Sequence, residues 1–158
     1  MSTARPYLEL LRRLERLSQS PYFKLRELGK TILDGVEYPL IMAGWQGPYR
    51  AERSVCLSAG MHGDEPAGVE ALMRFIERHL EDEHLLRRFR FTVFPCDNPS
   101  GHDLGTRENA QGIDLNREWK KPRPPAEVAL VRRALRGRKF HLSVELHEDV
   151  DSQGFYLY

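Results

Sequence analysis

His62 and Glu65 stand three positions apart in the run Ser58-Ala59-Gly60-Met61-His62-Gly63-Asp64-Glu65-Pro66. An imidazole and a carboxylate at that separation can converge on one cation, and the pair of ligand types suits zinc. Upstream, Val55-Cys56-Leu57 is a short apolar run of the kind that forms a buried strand. Downstream, Pro66 opens an amphipathic run, and proline is favoured in the first turn of a helix. The pair therefore falls in a strand-to-helix turn, and in open α/β sheets ligands bind just outside the carboxyl ends of strands. Gly60 and Gly63 leave the backbone free to turn tightly there. A surface turn with a capping acid and an incidental histidine would carry the same residues, so His-x-x-Glu alone does not choose between the two.

Two further segments share the address. Phe140 to Leu146 reads as a strand, with His147 at its end. Phe89 to Phe94 reads as another, and the stretch that follows, Cys96 to Trp119, has almost no periodicity but many Asn, Asp, Gly and Arg residues. A loop of that length in a compact domain is usually functional or disordered. Two histidines and a glutamate, with a wide gap before the last histidine, make up the ligand set of catalytic zinc hydrolases that keep a fourth position open for water. A zinc-bound imidazole donates its other N–H to a carboxylate or carbonyl, and Asp114 is the candidate partner for His62.

The elements that must hold these residues are legible from periodicity. Tyr7, Leu10, Leu11, Leu14 and Leu17 predict a helix over about 6–18 with one apolar face. Phe23 to Leu28 alternates like a half-buried strand, and Asp34-Gly35 is a hairpin-type turn leading into a strand over Tyr38 to Met42. Gly44 to Arg53 reads as a loop. After Pro66, Val69, Leu72, Met73, Ile76 and Leu80 line the core side of a helix, with His79 and His84 near its end facing solvent. A further helix over roughly 125–136 carries Val128, Val131, Ala134 and Leu135, with Gly137 as its stop. Gly154 to Tyr158 begins one more strand. Strands alternating with helices imply an α/β fold: three layers, α/β/α, with a mixed, mainly parallel sheet and an antiparallel edge.

Composition narrows the functional classes. The 158 residues are 41% hydrophobic and 30% charged with a net charge of +1, the profile of one ordinary globular domain spanning 1–158. Basic residues are scattered, which points away from nucleic acid. No run of about 18 apolar residues occurs and the N-terminus has no apolar signal core, so membrane insertion and secretion are not expected. Cys56 and Cys96 both fall in predicted buried strands and read as small hydrophobes of a reducing, cytoplasmic compartment.

The motifs His62-Gly63-Asp64-Glu65-Pro66, Asn98-Pro99-Ser100-Gly101, Thr106-Arg107-Glu108-Asn109, Gly112-Ile113-Asp114-Leu115-Asn116-Arg117-Glu118-Trp119 and Glu145-Leu146-His147-Glu148-Asp149, in that order, resemble the zinc metallocarboxypeptidase superfamily. That superfamily includes carboxypeptidases A and B, bacterial murein-peptide amidases, and the succinylglutamate desuccinylase and aspartoacylase branch. The resemblance runs from about residue 22 to the last residue, because Leu28-Gly29-Lys30-Thr31 through Ala43-Gly44 also resembles the opening strands. It implies one zinc ion held by His62, Glu65 and His147, with Asp114 behind the first histidine. It implies that Asn116 and Arg117 bind a substrate carboxylate and that Arg107 stabilises the oxyanion. The physics agrees: a guanidinium forks two N–H groups onto a carboxylate, and an arginine beside the metal can meet the charge of a tetrahedral intermediate.

The resemblance implies a zinc-dependent hydrolase of an amide bond next to a free carboxylate, foremost a metallocarboxypeptidase whose partner is a small peptide or acylated amino acid. An N-acyl amino-acid deacylase of the succinylglutamate desuccinylase or aspartoacylase kind uses the same ligands, and murein tripeptides are a third substrate class. A non-catalytic zinc- and carboxylate-binding module is the rival from outside enzymes. The superfamily's general base is a glutamate on a later strand, often assisted by a tyrosine, and both lie well beyond the third ligand. The base is therefore expected beyond Tyr158, and the chain is expected to be the N-terminal two-thirds of a longer, C-terminally incomplete enzyme. Glu148 is a poor substitute because successive strand residues point to opposite faces. Glu145 shares a face with His147 and reads as an acid behind that ligand or at the core edge.

Overall fold

The computed structural model describes residues 6–149. Apolar residues one turn apart give α1 (Pro6–Leu17) a single buried stripe of Tyr7, Leu10, Leu14 and Leu17. Asp34 (φ 49°) and Gly35 (φ 78°) both take the left-handed conformation that a two-residue hairpin requires. They join β1 (Phe23–Leu33) to β2 (Val36–Trp45). Both strands outrun the alternation in the sequence, which ends at Leu28 and Met42. Antiparallel pairing continues through Thr31↔Tyr38 and Leu33↔Val36 with a register shift between Glu27 and Gly29, so ladder pairing extends β1 through residues that are exposed or half-buried, while β2 runs on through buried Ala43 and Trp45.

β3 (Arg53–Ala59), β4 (Phe89–Phe94) and β5 (Leu142–Leu146) complete a sheet of order β1-β2-β4-β3-β5. β3 runs parallel to both β4 and β5, while β2 pairs antiparallel with β4. This is the mixed sheet with an antiparallel edge that the alternation of elements predicts. Helices cover both faces. On one, α1 and α2 (Pro66–His79) bury Leu14, Leu72, Met73 and Ile76 against Trp45, Val55 and Val93. On the other, Val131 of α5 (Ala126–Leu135) packs with Leu40, Met42, Cys56 and Phe94. Each fully buried side chain of this kind contributes about 1.5–3 kcal/mol. Trp45 stacks on Phe91 at 4.5 Å and donates its indole N–H to the Leu80 carbonyl at 3.0 Å.

Two short helices break the stretches that lack periodicity. α3 (Glu83–Arg88) is capped by Asp82, whose carboxylate accepts from the Leu85 N–H. α4 (Pro99–Leu104) is capped by Asn98 and stopped by Gly105 in the left-handed conformation. Six residues are too few to display a helical period. His84 is exposed as expected, but His79 is half-buried against Phe75 at 5.2 Å and pairs with Asp82 at 3.1 Å. Cys56 and Cys96 are buried free thiols. Burial raises both, Cys56 to about 11, which keeps them protonated and inert. Among the described residues no helix is long and apolar enough to cross a membrane. The strand expected over 154–158 lies outside the described residues.

Candidate metal centre

β3 delivers the chain to Ala59, and Gly60 (φ 67°) turns it out of the sheet. Met61 then anchors the turn by packing with Leu115 and Val128 in a small core of its own. A side chain at Gly63 would lie 1.9 Å from the Gly101 carbonyl carbon, so the turn and the start of α4 touch backbone to backbone. His62 and Glu65 are thereby fixed over the carboxyl end of β3. His147 arrives from the neighbouring end of β5, which is parallel to β3.

The three side chains meet. His62 Nδ1 lies 2.6 Å from Glu65 Oε1, and His147 Nδ1 lies 2.8 Å from Glu65 Oε2. One ligand atom from each residue falls within 4.8 Å of the others. Behind each imidazole stands a carboxylate. The buried Nε2 of His62 makes no hydrogen bond and has Asp114 Oδ1 3.4 Å away. His147 Nε2 lies 3.4 Å from Glu145 Oε1. Carboxylate-backed imidazoles with both Nδ1 atoms turned inward are the arrangement that orients histidines toward a metal. The donor set fits zinc.

Electrostatics favour a cation at the same point. Burial works to raise Glu65, but the Glu148 N–H and the two imidazoles prevail and hold its carboxyl below the usual carboxylate range. Burial likewise opposes the Arg107 guanidinium at Asp114, and the guanidinium wins, lowering that carboxyl. The Glu145 carboxylate, against burial and with help from Glu65, lifts His147 to about 9.

The long segment after β4 is a braced scaffold. Asn98, fully buried, accepts from the Gly101 N–H at 3.0 Å and donates to the Arg107 carbonyl at 3.3 Å. The Ser100 hydroxyl accepts from the Ala110 N–H at 3.0 Å. Asn109 accepts from the N–H groups of Gln111 and Ile113 and donates to buried Glu127 of α5 at 3.2 Å. These contacts put Arg107 beside the cluster: its Nε donates to Asp114 Oδ2 at 3.2 Å, and its Nη1 lies 3.8 Å from Glu65 Oε1. The 3-10 turn Leu115–Arg117 follows, started by Asp114 accepting from the Asn116 N–H. Asn116 lines a cavity next to the cluster. Arg117 is exposed and forms no ion pair with any described residue. Glu148 is spoken for: its carboxylate accepts from the Ala67 N–H in the first turn of α2, and its N–H donates to Glu65.

Sequence reasoning passed over Asn98 as a brace, the Asn109–Glu127 pair and the buried acid Asp97. Asn98 carried a local signal, since an Asn before Pro opening a helix is a capping pattern. Asn109–Glu127 joins residues far apart in the chain and had no local signal.

Two imidazoles and one carboxylate at the carboxyl end of a mixed sheet form a cluster compatible with zinc binding. The chain belongs to the zinc carboxypeptidase family, whose model matches residues 17–149; that family is zinc-dependent. Murein peptide amidase A of Escherichia coli K12 is 37% identical over 84 residues, covering 51% of this chain and 31% of that protein. Carboxypeptidase SOL1 of Arabidopsis thaliana is 26% identical over 103 residues, covering 61% of this chain and 21% of that protein. A metallo-carboxypeptidase structure from Burkholderia cenocepacia superposes with a TM-score of 0.81 at 25% identity, covering 92% of this chain and 41% of the other. The chain thus spans less than half the length of each of these relatives.

Proposed function

We propose that these residues carry the zinc site and the carboxylate-recognition loop of a carboxypeptidase, cleaving the amide bond next to a peptide's free carboxylate. The observation that supports this best is the joint placement of the His62–Glu65–His147 cluster and Arg107, 3.8 Å from Glu65. Zinc held there would supply a Lewis acid that polarises the scissile carbonyl and lowers the pKa of a water. Arg107, with Nε committed to Asp114, presents its terminal nitrogens to the oxygen on which charge develops. Asn116 and Arg117, adjacent on one short turn, donate to the terminal carboxylate and hold the scissile bond against the cluster. Glu145 backs His147 and Glu148 caps α2, so neither serves as the proton acceptor. Buried, unbridged cysteines accord with a cytoplasmic setting.

A second reading, an amidase acting on peptidoglycan-derived peptides, is favoured by the 37% identity to murein peptide amidase A. The test presents the zinc-loaded, full-length protein with peptide pairs, free or amidated at the C-terminus, and with a murein tripeptide, and follows products by mass spectrometry. Release of the last residue from free-ended peptides alone is expected. Cleavage of the murein tripeptide alone selects the amidase, and zinc binding without turnover of any substrate selects a non-catalytic module.

A further inference from the structure

At the rim of the sheet opposite the metal cluster lies a larger cavity of about 720 Å³, within the size range of small-molecule sites. It is built at the amino ends of β3 and β4 and from the run that leads into β5. Lys24, Arg90, Arg138 and Lys139 line it, and among the described residues no Asp or Glu does. None of the four forms an ion pair with a described residue, whereas Arg13, Arg74 and Arg107 all do. The whole chain carries 24 basic and 23 acidic residues, so the excess is local. The four come from three separated segments, which is why the sequence shows them only as scattered charge.

The segment bearing Arg138 and Lys139 is pinned in place. Gly137 (φ 73°) takes the left-handed conformation after α5, and the Arg138 N–H donates to the Leu135 carbonyl at 3.0 Å. Buried Ser54 of β3 then holds the next residues: its hydroxyl donates to the Lys139 carbonyl at 3.1 Å, its N–H donates to His141 Nδ1 at 3.1 Å, and its carbonyl accepts from the His141 N–H at 2.8 Å. Arg138 Nη1 donates to the buried Thr92 hydroxyl at 3.4 Å, which leaves that hydroxyl its own proton to donate. Lys24, Gly44 and Thr92 are cross-strand partners in one row. A side chain at Gly44 would meet nothing within 4 Å, so the floor between the lysine and the hydroxyl is open. Half-buried Tyr22 and Phe140 add aromatic wall.

A cleft lined by one sign of charge focuses its field and concentrates ions of the other sign. Guanidinium forks and ammonium groups together suit the oxygens of a phosphate, while the volume and the aromatic walls call for a body larger than the bare ion. We propose that this cavity binds a small organic phosphate. Its anionic group sits among Lys24, Arg90, Arg138 and Lys139 with a hydrogen bond from Thr92, and its body packs on Tyr22 and Phe140. His62, Glu65 and His147 follow the carboxyl ends of β3 and β5, at the other end of the same strands, so this site stands whatever reaction the metal cluster performs.

The test is calorimetric titration of the full-length, zinc-loaded protein with adenosine monophosphate, adenosine and inorganic phosphate. Adenosine monophosphate is expected to saturate one site and to bind at least about tenfold more tightly than adenosine, the effect of a charge-assisted hydrogen bond. It is also expected to bind more tightly than inorganic phosphate. Arg138→Gln and Lys24→Gln, both at exposed positions on separate segments, should each weaken it about tenfold. Arg78→Gln, an exposed cation outside the cavity, and His62→Ala, at the metal cluster, should leave its affinity within about twofold. No saturable binding of adenosine monophosphate overturns the proposal, as does equal affinity for adenosine or for inorganic phosphate. Loss of binding in His62→Ala would put the phosphate on the metal and overturn it too, and so would full affinity in both cavity variants. Should one cavity variant not fold, the other decides.

Discussion

Gly63→Ala is the sharpest structural test of how the site is held together. The new methyl carbon would sit 1.9 Å from the Gly101 carbonyl carbon, 2.2 Å from its oxygen and 2.4 Å from the His102 nitrogen. All three are backbone atoms, so no rotamer change relieves the contact. One segment must retreat by about 1.5 Å to regain ordinary van der Waals separation. Overpacking in a tight interior costs about 1–3 kcal/mol, and a backbone-on-backbone clash belongs near the upper end. For a chain of this size that corresponds to a melting temperature lower by about 6–12 °C. The retreating segments are the metal turn with His62 and the α4 cap with Asn98, which holds the Arg107 carbonyl. A shift on the order of 1 Å there costs activity about 100-fold. Gly112→Ala is the control: Gly112 has φ 72° with nothing within 4 Å, so it loses only the conformational penalty of about 1–2 kcal/mol. Thermal melts and zinc content of both variants form the assay. A Gly63→Ala protein that melts with the wild type and retains full zinc would refute the argument that these two backbones touch.

Arg107→Ala is expected to lower kcat about 100- to 1,000-fold with little change in KM, and an unchanged kcat counts against its role at the oxyanion. Arg117→Ala is expected to raise KM more than it lowers kcat; the reverse pattern removes it from carboxylate binding. Glu145→Gln is expected to weaken zinc binding about 10- to 100-fold in competition with a chromophoric chelator. Wild-type affinity in that variant would show that the 3.4 Å contact with His147 Nε2 does not orient the ligand.

What could be read without coordinates was whatever is local in the chain or fixed by residue type. The turn bearing His62 and Glu65 announces itself through Gly60, Gly63 and Pro66, and the sheet's mixed character follows from the order of apolar runs. The end of β1 was not legible, because the register that sets Lys30 opposite Pro39 and Thr31 opposite Tyr38 is not signalled by those residue types. α3 and α4 were hidden by their length. Asn109–Glu127 depends on α5 folding back beneath the loop, a tertiary event with no periodicity to signal it. Glu145 was recognisable as an acid on the His147 face, since strand residues two apart share a face. Its contact with Nε2 needed coordinates. Asp97 gave least away: an acid next to Asn98-Pro99 looks like turn chemistry, and only the packing of the folded chain shows it buried, with its Oδ1 lacking a hydrogen-bond partner.

Metal content tests the central claim most directly. Elemental analysis of the purified full-length protein, before and after dialysis against zinc, should find one zinc per chain. His62→Ala should lose that zinc while its circular dichroism stays that of the wild type, because the residue lies in a turn outside the helices and strands. A wild-type protein that neither carries nor takes up zinc, or a His62→Ala variant that keeps a full complement, would contradict the account.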